Sequence, residues 1–371
     1  MTQKVRIAIV GLGFGAEFIP IYQAHPNAEL VAVCQRSEEP LNQIADHFGI
    51  AARYTDYARM LADPDIDAVH INTPIEAHAD QSVAALDAGK HVACTVPMAV
   101  SLEDCARVVK AQEASGKSYM MMETAVYTRE FLYTKQLVDS GELGRIQFLR
   151  GAHMQEMAGW PDYWEKMAPM HYATHAVAPL LALAGREAHS VRCLGSGRVN
   201  GRDPVGGLAF AVESALFQLR DSDLAMEVTR SLYDVAREYV ESFDVFGERK
   251  SYEWQQLERE HPVVFTGEDG ERVEIPDYAD RLPAEIREFT TRGVYDATQN
   301  QHLSFTQGSG HGGSHPHLAH EFLMSILEGR EPFPGVHASA NWTSAGICAH
   351  ESALTGAEVE LPVFTNGEHS A

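Results

Sequence analysis

A glycine-rich turn between two short apolar runs, within the first 36 residues, constrains the fold more than any other feature of this sequence. Val5–Val10 is apolar and rich in β-branched residues, which is typical of a strand buried on both faces. The sequence GLGFGA follows directly, and apolar residues then recur at helical spacing before a second apolar run, Leu30–Cys34. A strand, a tight turn, a helix and a second strand in this order predict the βαβ unit of a parallel sheet.

The small residues of this turn match the G-x-G-x-x-G/A pattern, with Gly11, Gly13 and Ala16 at its three fixed places. Such residues permit a tight turn, a close approach of the backbone to a pyrophosphate and close packing of helix on strand. The N–H groups at the start of the following helix also favour phosphate. We therefore predict that the turn binds a dinucleotide. The alternative is a glycine-rich turn that holds no ligand.

The end of the second strand bears on which dinucleotide is bound. An Asp or Glu usually holds the adenosine ribose there, but this sequence reads Cys34-Gln35-Arg36-Ser37, with no acid before Glu38. Gln35 can hydrogen-bond a ribose hydroxyl, whereas Arg36 and Ser37 suit a 2′-phosphate. Arg36 can equally stack on adenine or lie in solvent. NAD is the expected cofactor, and NADP stays open.

Composition limits the class of protein. The 371 residues suffice for two domains, and 45% hydrophobic with 22% charged residues is ordinary for a soluble globular enzyme. No run of 18 apolar residues and no N-terminal signal pattern occur, so we expect a cytoplasmic protein without a membrane partner. A net charge of −23 argues against a nucleic-acid partner, which requires basic patches. Five cysteines without C-x-x-C spacing indicate neither a disulfide framework nor a zinc ribbon.

Beyond the glycine-rich turn, the first third of the chain continues to alternate strands and helices. The pattern predicts strands at Ala68–Asn72, His91–Cys94 and Ser118–Met122 and helices at Ala77–Ala88 and Leu102–Ala114. Together with the first βαβ unit, these elements predict an α/β fold with a dinucleotide-binding Rossmann domain over residues 1–123 and a doubly wound parallel sheet.

After residue 123 the predicted strands become longer and alternate apolar with polar residues, which is typical of a sheet with one exposed face. The strands are Ile146–His153, Ser190–Gly195, Gly207–Leu219, Leu224–Ser231, Glu241–Gly247 and Lys250–Trp254, and the helices are Arg129–Asp139, His317–Leu327 and Ala338–Leu354. Residues 124–371 are therefore expected to form an α+β domain around a mainly antiparallel sheet.

Several motifs resemble those of the Gfo/Idh/MocA oxidoreductases, in the family's order. They are GLGFGA at 11–16, INTPIEAH at 71–78, ALDAGKHV at 85–92 and the closing segment HEFLMSILEGREPFPGVHASANWTSAGICAHESALTGAEVELP. The resemblance covers nearly the whole chain. It implies that the second domain has an open sheet used for substrate binding and oligomerisation, hence a homo-oligomer, as a dimer or tetramer. It also implies a small carbohydrate substrate, a sugar or cyclitol, that reacts at a secondary carbinol.

The glycine pattern and the resemblance together predict the residues around the cofactor. These are Gly11, Gly13, Phe14, Gly15, Ala16, Gln35, Arg36, Asn72, Thr73, Pro74, His78, Thr95 and Pro97. One departure from the family falls among them. Family members usually carry Glu-Lys-Pro at the end of the fifth strand, with the lysine assisting proton transfer, but this sequence reads Thr95-Val96-Pro97 and lacks that ammonium.

A second departure concerns the helix of the second half-site, where the family's Asp-x-x-x-His reads His171-x-x-x-His175. Both histidines are predicted to face one side of a helix, because residues four apart lie on the same face. An imidazole that titrates near neutrality suits removal of a carbinol proton, so we predict catalytic roles for His175 and His171. The alternatives are a bound metal, although no H-E-x-x-H pattern occurs, or simple packing. Glu123 and Tyr127, after the sixth strand, are further candidate acid–base groups or ligand contacts.

The segment from 153 to 170 is predicted to be a loop that lines a substrate pocket, because it contains a glycine and two prolines. Trp160, Tyr163 and Trp164 offer flat apolar faces to a sugar ring, or else belong to the core. Lys166 suits a carboxylate, sulfonate or phosphate on the substrate, or else is a solvated loop residue. His153 is a further substrate-binding candidate at the start of this segment.

Two histidines late in the chain are also predicted to bind substrate. His311 and His315 lie in SGHGGSHPHLAHEF, where Ser314 is a suitable N-cap and Pro316 a suitable first residue of a helix. The glycines allow the backbone to approach a ligand closely. The later histidines of this segment are expected to lie on the helix and pack.

Three functions are compatible with these residues. The first is a dehydrogenase that moves hydride from a ring carbinol, carbon 3 of a sugar, to NAD or NADP. The second is a redox-neutral glycoside hydrolase that retains NAD and proceeds by oxidation, elimination, hydration and re-reduction. Relatives with the family fold act in this way on N-acetylgalactosaminides and sulfoquinovosides, and Lys166 would suit an anionic glycoside. The third is a non-catalytic sensor that binds the dinucleotide.

Overall fold

This computed structural model describes residues 3–161, 163–164, 167–197, 199, 210–237, 239–257, 260–291 and 310–365. The chain divides into two compact units. The first unit is Met1–Tyr127 with Asp277–Ala340, and the second is Thr128–Pro276 with Asn341–Ala371. Residues 277–340, predicted to lie in the second domain, therefore group with the first unit. The functional division into 1–123 and 124–371 stays a prediction.

The first unit is built on a six-stranded parallel sheet with the order β3-β2-β1-β4-β5-β6. The strands are β1 (Val5–Val10), β2 (Ala28–Cys34), β3 (Ala52–Tyr54), β4 (Ala68–Ile71), β5 (His91–Cys94) and β6 (Tyr119–Met121). The strand order reverses between β1 and β4, the switch point at which such sheets bind ligands beside the carboxyl ends of their strands. The predicted doubly wound parallel sheet is confirmed.

The described helices are α1 (Leu12–Gly15), α2 (Ile19–Ala24), α3 (Glu38–Phe48), α4 (Tyr57–Leu61), α5 (His78–Asp87), α6 (Leu102–Ser115), α7 (Arg129–Asp139), α8 (Thr174–Ala184), α9 (Gly310–Glu328) and α10 (Val336–Thr355). Of the five helices with predicted bounds, α5, α6, α7 and α10 begin and end within two residues of the prediction, whereas α9 begins before the predicted His317. Helix α6 shows how local residues set the two ends of a helix. At its start the Ser101 hydroxyl accepts a hydrogen bond from the Asp104 N–H, and at its end Gly116 adopts the left-handed conformation. None of the described helices is long and apolar enough to cross a membrane.

The core of the first unit explains why a late segment of the chain belongs to it. Leu318 and Phe322 of α9 have no exposed surface and share one hydrophobic cluster with Ile7 and Ile9 of β1. Ile286, in the 3₁₀ turn Ala284–Thr290, joins the same cluster. Burial of this apolar surface fixes α9 to the parallel sheet.

The second unit contains a nine-stranded sheet with the order β14-β13-β12-β11-β7-β10-β9-β8-β15. The strands are β7 (Ile146–Gln155), β8 (Ala188–Ser196), β9 (Val212–Leu219), β10 (Ala225–Ser231), β11 (Tyr239–Gly247), β12 (Ser251–Glu253), β13 (Val263–Thr266), β14 (Asp269–Arg272) and β15 (Val359–Glu360). Only β7 and β10 pair in parallel among the described strands of this sheet, so the predicted mainly antiparallel sheet is confirmed. The predicted strand start at Gly207 lies outside the described residues.

Helix α8 lies unusually close to β7. A side chain at Gly151 of β7 would overlap the carbonyl oxygen of Ala176 in α8, so glycine is required there. The turn before α8 corrects one prediction. His171 belongs to the 3₁₀ turn Pro169–Tyr172, whereas His175 belongs to α8, so the two histidines do not share one helical face.

Candidate active site

The glycine-rich turn of the first unit is shaped for a ligand. Gly11 has a φ of 81°, and an added Cβ would lie 2.5 Å from the Asn72 carbonyl oxygen and 2.9 Å from the Thr73 nitrogen. An added Cβ at Gly13 would meet nothing within 4 Å, which leaves that backbone open to a bound molecule. Gly15 packs tightly, since its Cβ would lie 2.8 Å from Ile9 Cγ2. The turn therefore fits a dinucleotide pyrophosphate as the sequence predicted.

The neighbouring Gln35 is hydrogen-bonded to the backbone of this turn. Its Oε1 accepts a hydrogen bond of 2.8 Å from the Leu12 N–H. The predicted contact of Gln35 with a ribose hydroxyl would have to coexist with this bond. Arg36 is exposed at the end of β2, where it can reach adenine or a phosphate. Both contacts stay predictions.

The loops after β4 and β5 hold the other predicted cofactor residues. The Thr73 hydroxyl donates to Gln81 Oε1 at 2.6 Å, and the Thr95 hydroxyl donates to the Ile71 carbonyl at 3.1 Å. The ring of His78 lies between the two loops. Its Nδ1 is 2.8 Å from the Pro97 oxygen and its Nε2 is 2.9 Å from the Thr73 oxygen. His78 thus joins the two loops at the carboxyl edge of the sheet.

The two candidates after β6 are each held by a hydrogen bond to the backbone. Oε1 of Glu123 accepts from the Ala125 N–H at 3.0 Å, and the carboxylate has no exposed surface. The Tyr127 hydroxyl donates to the Phe333 carbonyl at 2.7 Å. Burial, and secondarily Glu321, raise the pKa of Tyr127 well above its ordinary value. This tyrosine therefore ties two segments of the first unit together and is poorly suited to release a proton.

His311 and His315 lie in the first unit, at the start of α9. His311, Gly312 and Gly313 all have positive φ angles, so regular helix follows Gly313. His315 has no exposed surface, and its Nε2 is 3.2 Å from His311 Nδ1 while its Nδ1 is 3.3 Å from Glu17 Oε2. Burial raises the pKa of Glu17 to about 8 and lowers that of His315 well below its ordinary value. His315 cannot touch a substrate in this structure, which leaves His311 as the candidate contact.

In the second unit, three polar residues meet across neighbouring strands. Glu241 of β11 and Arg230 of β10 both pair in register with His153 of β7. Side chains at paired positions leave the sheet on the same face. His153 was predicted to end the strand Ile146–His153 and to begin the loop of residues 153–170, but β7 continues to Gln155, so the loop begins later than predicted.

His175 completes a cluster around Glu241. Its Nε2 lies 4.0 Å from Glu241 Oε1 and 3.4 Å from the Tyr172 hydroxyl, and His153 Nε2 lies 3.7 Å from the same carboxylate oxygen. The Tyr239 hydroxyl donates to Glu241. We call Glu241, His153, His175, Tyr172 and Tyr239 the Glu241 cluster. It places two imidazoles and two phenols around one carboxylate that is 12% exposed.

Arg230 holds this cluster in place. The guanidinium is completely buried and donates to the backbone oxygens of Tyr172, His153 and Ser231 and to Gln155 Oε1. Burial lowers the pKa of Arg230 to about 10, so the group remains a cation at neutral pH. These four hydrogen bonds, three of them to backbone oxygens, fix the backbone beside the cluster.

His171 lies beside a different carboxylate, Glu213. We call Glu213 and its hydrogen-bond partner His350 the Glu213 pair. The completely buried Glu213 carboxylate accepts from His350 Nδ1 at 2.6 Å and from the Met170 N–H at 2.8 Å. The His171 ring packs edge to face on His350, with centroids 4.8 Å apart. Burial and the neighbouring His350 lower the pKa of His171 to about 4. His171 is therefore neutral at physiological pH and a weak base.

The aromatic residues after β7 divide into core and surface. Trp164 is only 6% exposed and packs edge to face on Tyr172, with centroids 4.8 Å apart. Trp160 and Tyr163 are half-buried and pack on Trp164. These two keep accessible ring surface for a sugar. The predicted contact of Lys166 lies outside the described residues.

Sequence reasoning missed Arg230 and Glu241, although a signal was present. Arg230 lies on the same face of its strand as the buried Met226 and Val228. Glu241 likewise lies on the same face as the buried Phe243 and Val245. A charged residue at a core-facing position of an alternating strand indicates a buried polar site. Among the residues that the structure describes, no group of three or more His, Cys, Asp and Glu side chains is placed to hold a metal ion.

Comparison with known protein families identifies the chain. A model described as "Oxidoreductase family, NAD-binding Rossmann fold" matches residues 5–123, and one described as "Oxidoreductase family, C-terminal alpha/beta domain" matches residues 135–361. The chain belongs to the Gfo/Idh/MocA oxidoreductase family. The resemblance predicted from the motifs is confirmed, and so is an NAD-binding Rossmann domain in the first unit.

Curated relatives of this Gfo/Idh/MocA chain carry two kinds of name. An inositol 2-dehydrogenase of Salmonella typhimurium is 34% identical over 155 residues, which cover 41% of this chain and 46% of the relative. A glycosyl hydrolase family 109 protein of Shewanella baltica is 31% identical over 198 residues, which cover 47% of this chain and 43% of the relative. The chain thus spans less than half the length of these curated relatives.

Solved structures resemble the whole chain. A levoglucosan dehydrogenase in complex with NADH and levoglucosan has a TM-score of 0.80 at 20% identity, over 97% of this chain and all of that chain. The apo scyllo-inositol dehydrogenase from Lactobacillus casei has a TM-score of 0.75 at 21% identity, over 97% of this chain and 99% of that chain. At such low identities the likeness establishes the fold.

Proposed function

We propose that this Gfo/Idh/MocA protein is an NAD-dependent enzyme that removes hydride from a secondary ring carbinol of a sugar or cyclitol, carbon 3 in a sugar. The observation that carries the proposal is the Glu241 cluster. Removing hydride from a carbinol requires a base for the hydroxyl proton, and His175 is the imidazole of this cluster at the start of a helix. The inositol and levoglucosan dehydrogenases among its relatives support this substrate class.

Each group in the cluster has a distinct task in this reaction. His175 takes the carbinol proton on Nε2 and becomes an imidazolium, and the Glu241 carboxylate stabilises that charge. The Tyr172 hydroxyl lies 3.4 Å from the same nitrogen and so orients the ring, and its oxygen can accept a hydrogen bond once that nitrogen is protonated. Arg230 positions the backbone of Tyr172 and His153 and does not touch the reacting atoms. NAD would bind at the glycine-rich turn, at Gly11, Gly13 and Ala16, and would supply the hydride acceptor.

A redox-neutral glycoside hydrolase is the second candidate, because a family 109 glycosyl hydrolase is among the relatives and the chain has many acid–base groups. Hydride leaves carbon 3, which acidifies the proton on carbon 2. A base removes that proton while the aglycone leaves carbon 1 with a proton from an acid. Water then adds across carbons 1 and 2, and the hydride returns to carbon 3. Oxidation and reduction balance within one turnover.

One experiment separates the candidates. Purified protein with NAD is incubated in deuterated water with free polyols, free sugars and aryl glycosides, neutral and anionic. A dehydrogenase accumulates reduced nicotinamide in proportion to ketosugar and leaves glycosidic bonds intact. A hydrolase releases aglycone without net reduced nicotinamide and gives free sugar with deuterium at carbon 2.

The matched control is Gly13→Val, since a side chain there would enter the open space beside the backbone. Calorimetry should detect no NAD binding by this variant while the fold is retained. NAD binding by wild-type protein without hydride exchange on any carbohydrate would contradict both candidates and indicate the non-catalytic sensor.

The exposed face of the second sheet supports the predicted homo-oligomer. Leu194 of β8 is 77% exposed and Leu216 of β9 is 57% exposed, on neighbouring strands. Large apolar side chains that project from a sheet surface favour contact with another chain. A dimer or tetramer remains part of the proposal.

A further inference from the structure

The ring of His78 is held between two backbone carbonyl groups. The side chain is 1% exposed, at the start of α5. Its Nδ1 lies 2.8 Å from the Pro97 oxygen and its Nε2 lies 2.9 Å from the Thr73 oxygen. Both distances are those of ordinary hydrogen bonds.

These two bonds decide how many protons the ring carries. A backbone carbonyl oxygen only accepts hydrogen bonds, whereas a neutral imidazole carries one N–H and one bare nitrogen. A neutral ring would therefore press the lone pair of one nitrogen against a carbonyl oxygen in a buried site. The Thr95 hydroxyl, 3.4 Å from Nε2, already donates to the Ile71 carbonyl and does not relieve this conflict. Only the doubly protonated ring satisfies both contacts.

We propose that the His78 ring is protonated on both nitrogens at neutral pH. As an imidazolium it places a fixed positive charge where the cofactor's nicotinamide binds. Its two N–H groups clamp the loop after β4 to the loop after β5. Because the ring is buried and bonded on both sides, its role is to position these loops and to set the local electrostatic potential.

The surroundings of the ring favour this charge. Burial alone would lower the pKa of His78, but Cys94 of β5 and the carbonyls of Pro97 and Thr73 outweigh burial and raise it to about 9. Tyr57 and Tyr119 are the other titratable groups near Cys94, and burial first, then Cys94, raises the pKa of both phenols. The two carbonyl dipoles and the Cys94 side chain thus outweigh the cost of burying the charged ring.

The place of the charge gives it a consequence for the cofactor. β4 and β5 belong to the second mononucleotide half of the parallel sheet, and ligands bind beside the carboxyl ends of these strands. The ring contacts both neighbours of Val96, the position where the family usually carries a lysine. A positive charge therefore persists at this strand end without the ammonium. Oxidised nicotinamide is cationic and reduced nicotinamide is neutral, so a nearby cation favours the reduced cofactor. This second part rests on the proposed function, whereas the charge state does not.

The charge state is tested on the wild-type protein without cofactor. Protein labelled with ¹⁵N in histidine is examined by long-range ¹H–¹⁵N NMR from pH 6 to 10, and the His78 ring is assigned by its absence in His78→Gln. We expect two protonated nitrogens that persist until about pH 9. A ring with one bare nitrogen at pH 7.5 overturns the proposal.

The effect on the cofactor is tested by binding alone. Fluorescence and calorimetry give Kd for NAD⁺ and for NADH. The Kd for NAD⁺ divided by the Kd for NADH should fall about tenfold in His78→Gln, because the cation no longer disfavours the oxidised form. The matched control is His91→Gln at the amino end of β5, whose pKa is lowered to about 4 by burial, so it carries no charge to lose and the ratio should not change.

If His78→Gln fails to fold, the wild-type ratio measured from pH 7 to 10 replaces it, and it should fall as His78 loses its proton. A ratio that is independent of pH and of the substitution overturns the electrostatic role. If the His78 ring is charged but the protein binds neither NAD⁺ nor NADH, the charge state is confirmed and the proposed function is overturned.

Discussion

The second unit contains two clusters made of the same residue types, and their geometries differ. In the Glu213 pair, both carboxylate oxygens accept short hydrogen bonds, from His350 at 2.6 Å and from Met170 at 2.8 Å, and the side chain is completely buried. In the Glu241 cluster, the carboxylate accepts from the Tyr239 hydroxyl and is 12% exposed, and the histidine nitrogens lie 3.7 and 4.0 Å from it, beyond hydrogen-bond distance. Residue type alone does not distinguish the two.

The difference separates a structural carboxylate from a reactive one. A carboxylate with two short bonds to buried donors stabilises the local fold and has little to gain from a new charge nearby. A carboxylate at ion-pair distance from two imidazoles gains attraction when one of them is protonated. We therefore expect Glu213 to stabilise the fold, and Glu241 and His175 are the groups that we propose for the chemistry.

The largest expected effect is on turnover. His175→Ala should lower kcat by about 10² to 10⁴, because a positioned acid–base group is typically worth that factor. Glu241→Gln should lower kcat in the same direction, since the imidazolium loses its counter-charge. Steady-state kinetics at saturating NAD measures both, with NAD affinity by calorimetry as the control. A loss below about tenfold would move the role to Glu123 or another histidine and would remove the functional distinction between Glu241 and Glu213.

The next largest effect is on the free energy of unfolding. Here Glu213 should matter more than Glu241, whereas Glu241 should matter more for turnover. Glu213→Ala leaves His350 and the Met170 N–H buried without their partner, which should cost about 3–5 kcal/mol of the free energy of unfolding. Glu241→Ala should cost less, about 1–3 kcal/mol, since its contacts with the two imidazoles are long and only the Tyr239 hydroxyl loses a hydrogen-bond acceptor among the contacts described above. Urea denaturation of both variants measures the difference. Equal losses would mean that both carboxylates are structural.

The smallest effect concerns pH. The folded protein holds the pKa of His171 near 4, below the ordinary value of 6.5, so the unfolded chain takes up a proton in this range that the folded chain does not. The free energy of unfolding should therefore fall as pH drops from 6.5 to 4, by at most about 3 kcal/mol from this residue.

Other buried histidines titrate in the same range, since burial also lowers the pKa of His25, His91 and His317 to about 4. The share of His171 is thus the difference between wild-type protein and His171→Gln in urea titrations at several pH values. Removing the neighbouring imidazole by His350→Phe should raise the pKa of His171, as read by NMR. An unchanged pKa would show that burial alone sets it.

The parallel sheet of the first unit could be predicted from sequence because its signals are local. Apolar runs give the strands, and Gly11 has both a left-handed backbone and no room for a Cβ, so its identity reports its geometry directly. The predicted range His91–Cys94 is the observed β5, and α7 has the predicted bounds. The grouping of residues 277–340 with this unit could not be predicted, since it depends on where Leu318 and Phe322 are buried.

The active-site candidates show where local reasoning stops. The spacing of His171 and His175 predicts one helical face only if both belong to one helix, and the 3₁₀ turn Pro169–Tyr172 breaks that condition. Arg230 and Glu241 were missed because their meeting with His153 depends on the register of three strands. Strand register is set by the whole sheet, and no short motif encodes it.

That register has a consequence for how the protein acquires activity. His153 and Arg230 are 77 residues apart, and Glu241 follows later still, yet the three residues become neighbours only when β7 has taken β10 on one side and β11 on the other. Contacts of such long range form slowly, because a large loop must be closed before any of them is made. We therefore expect the Glu241 cluster, the proposed catalytic centre, to form after contacts of shorter range in the sequence. Partial unfolding that released β11 would remove Glu241 from the cluster.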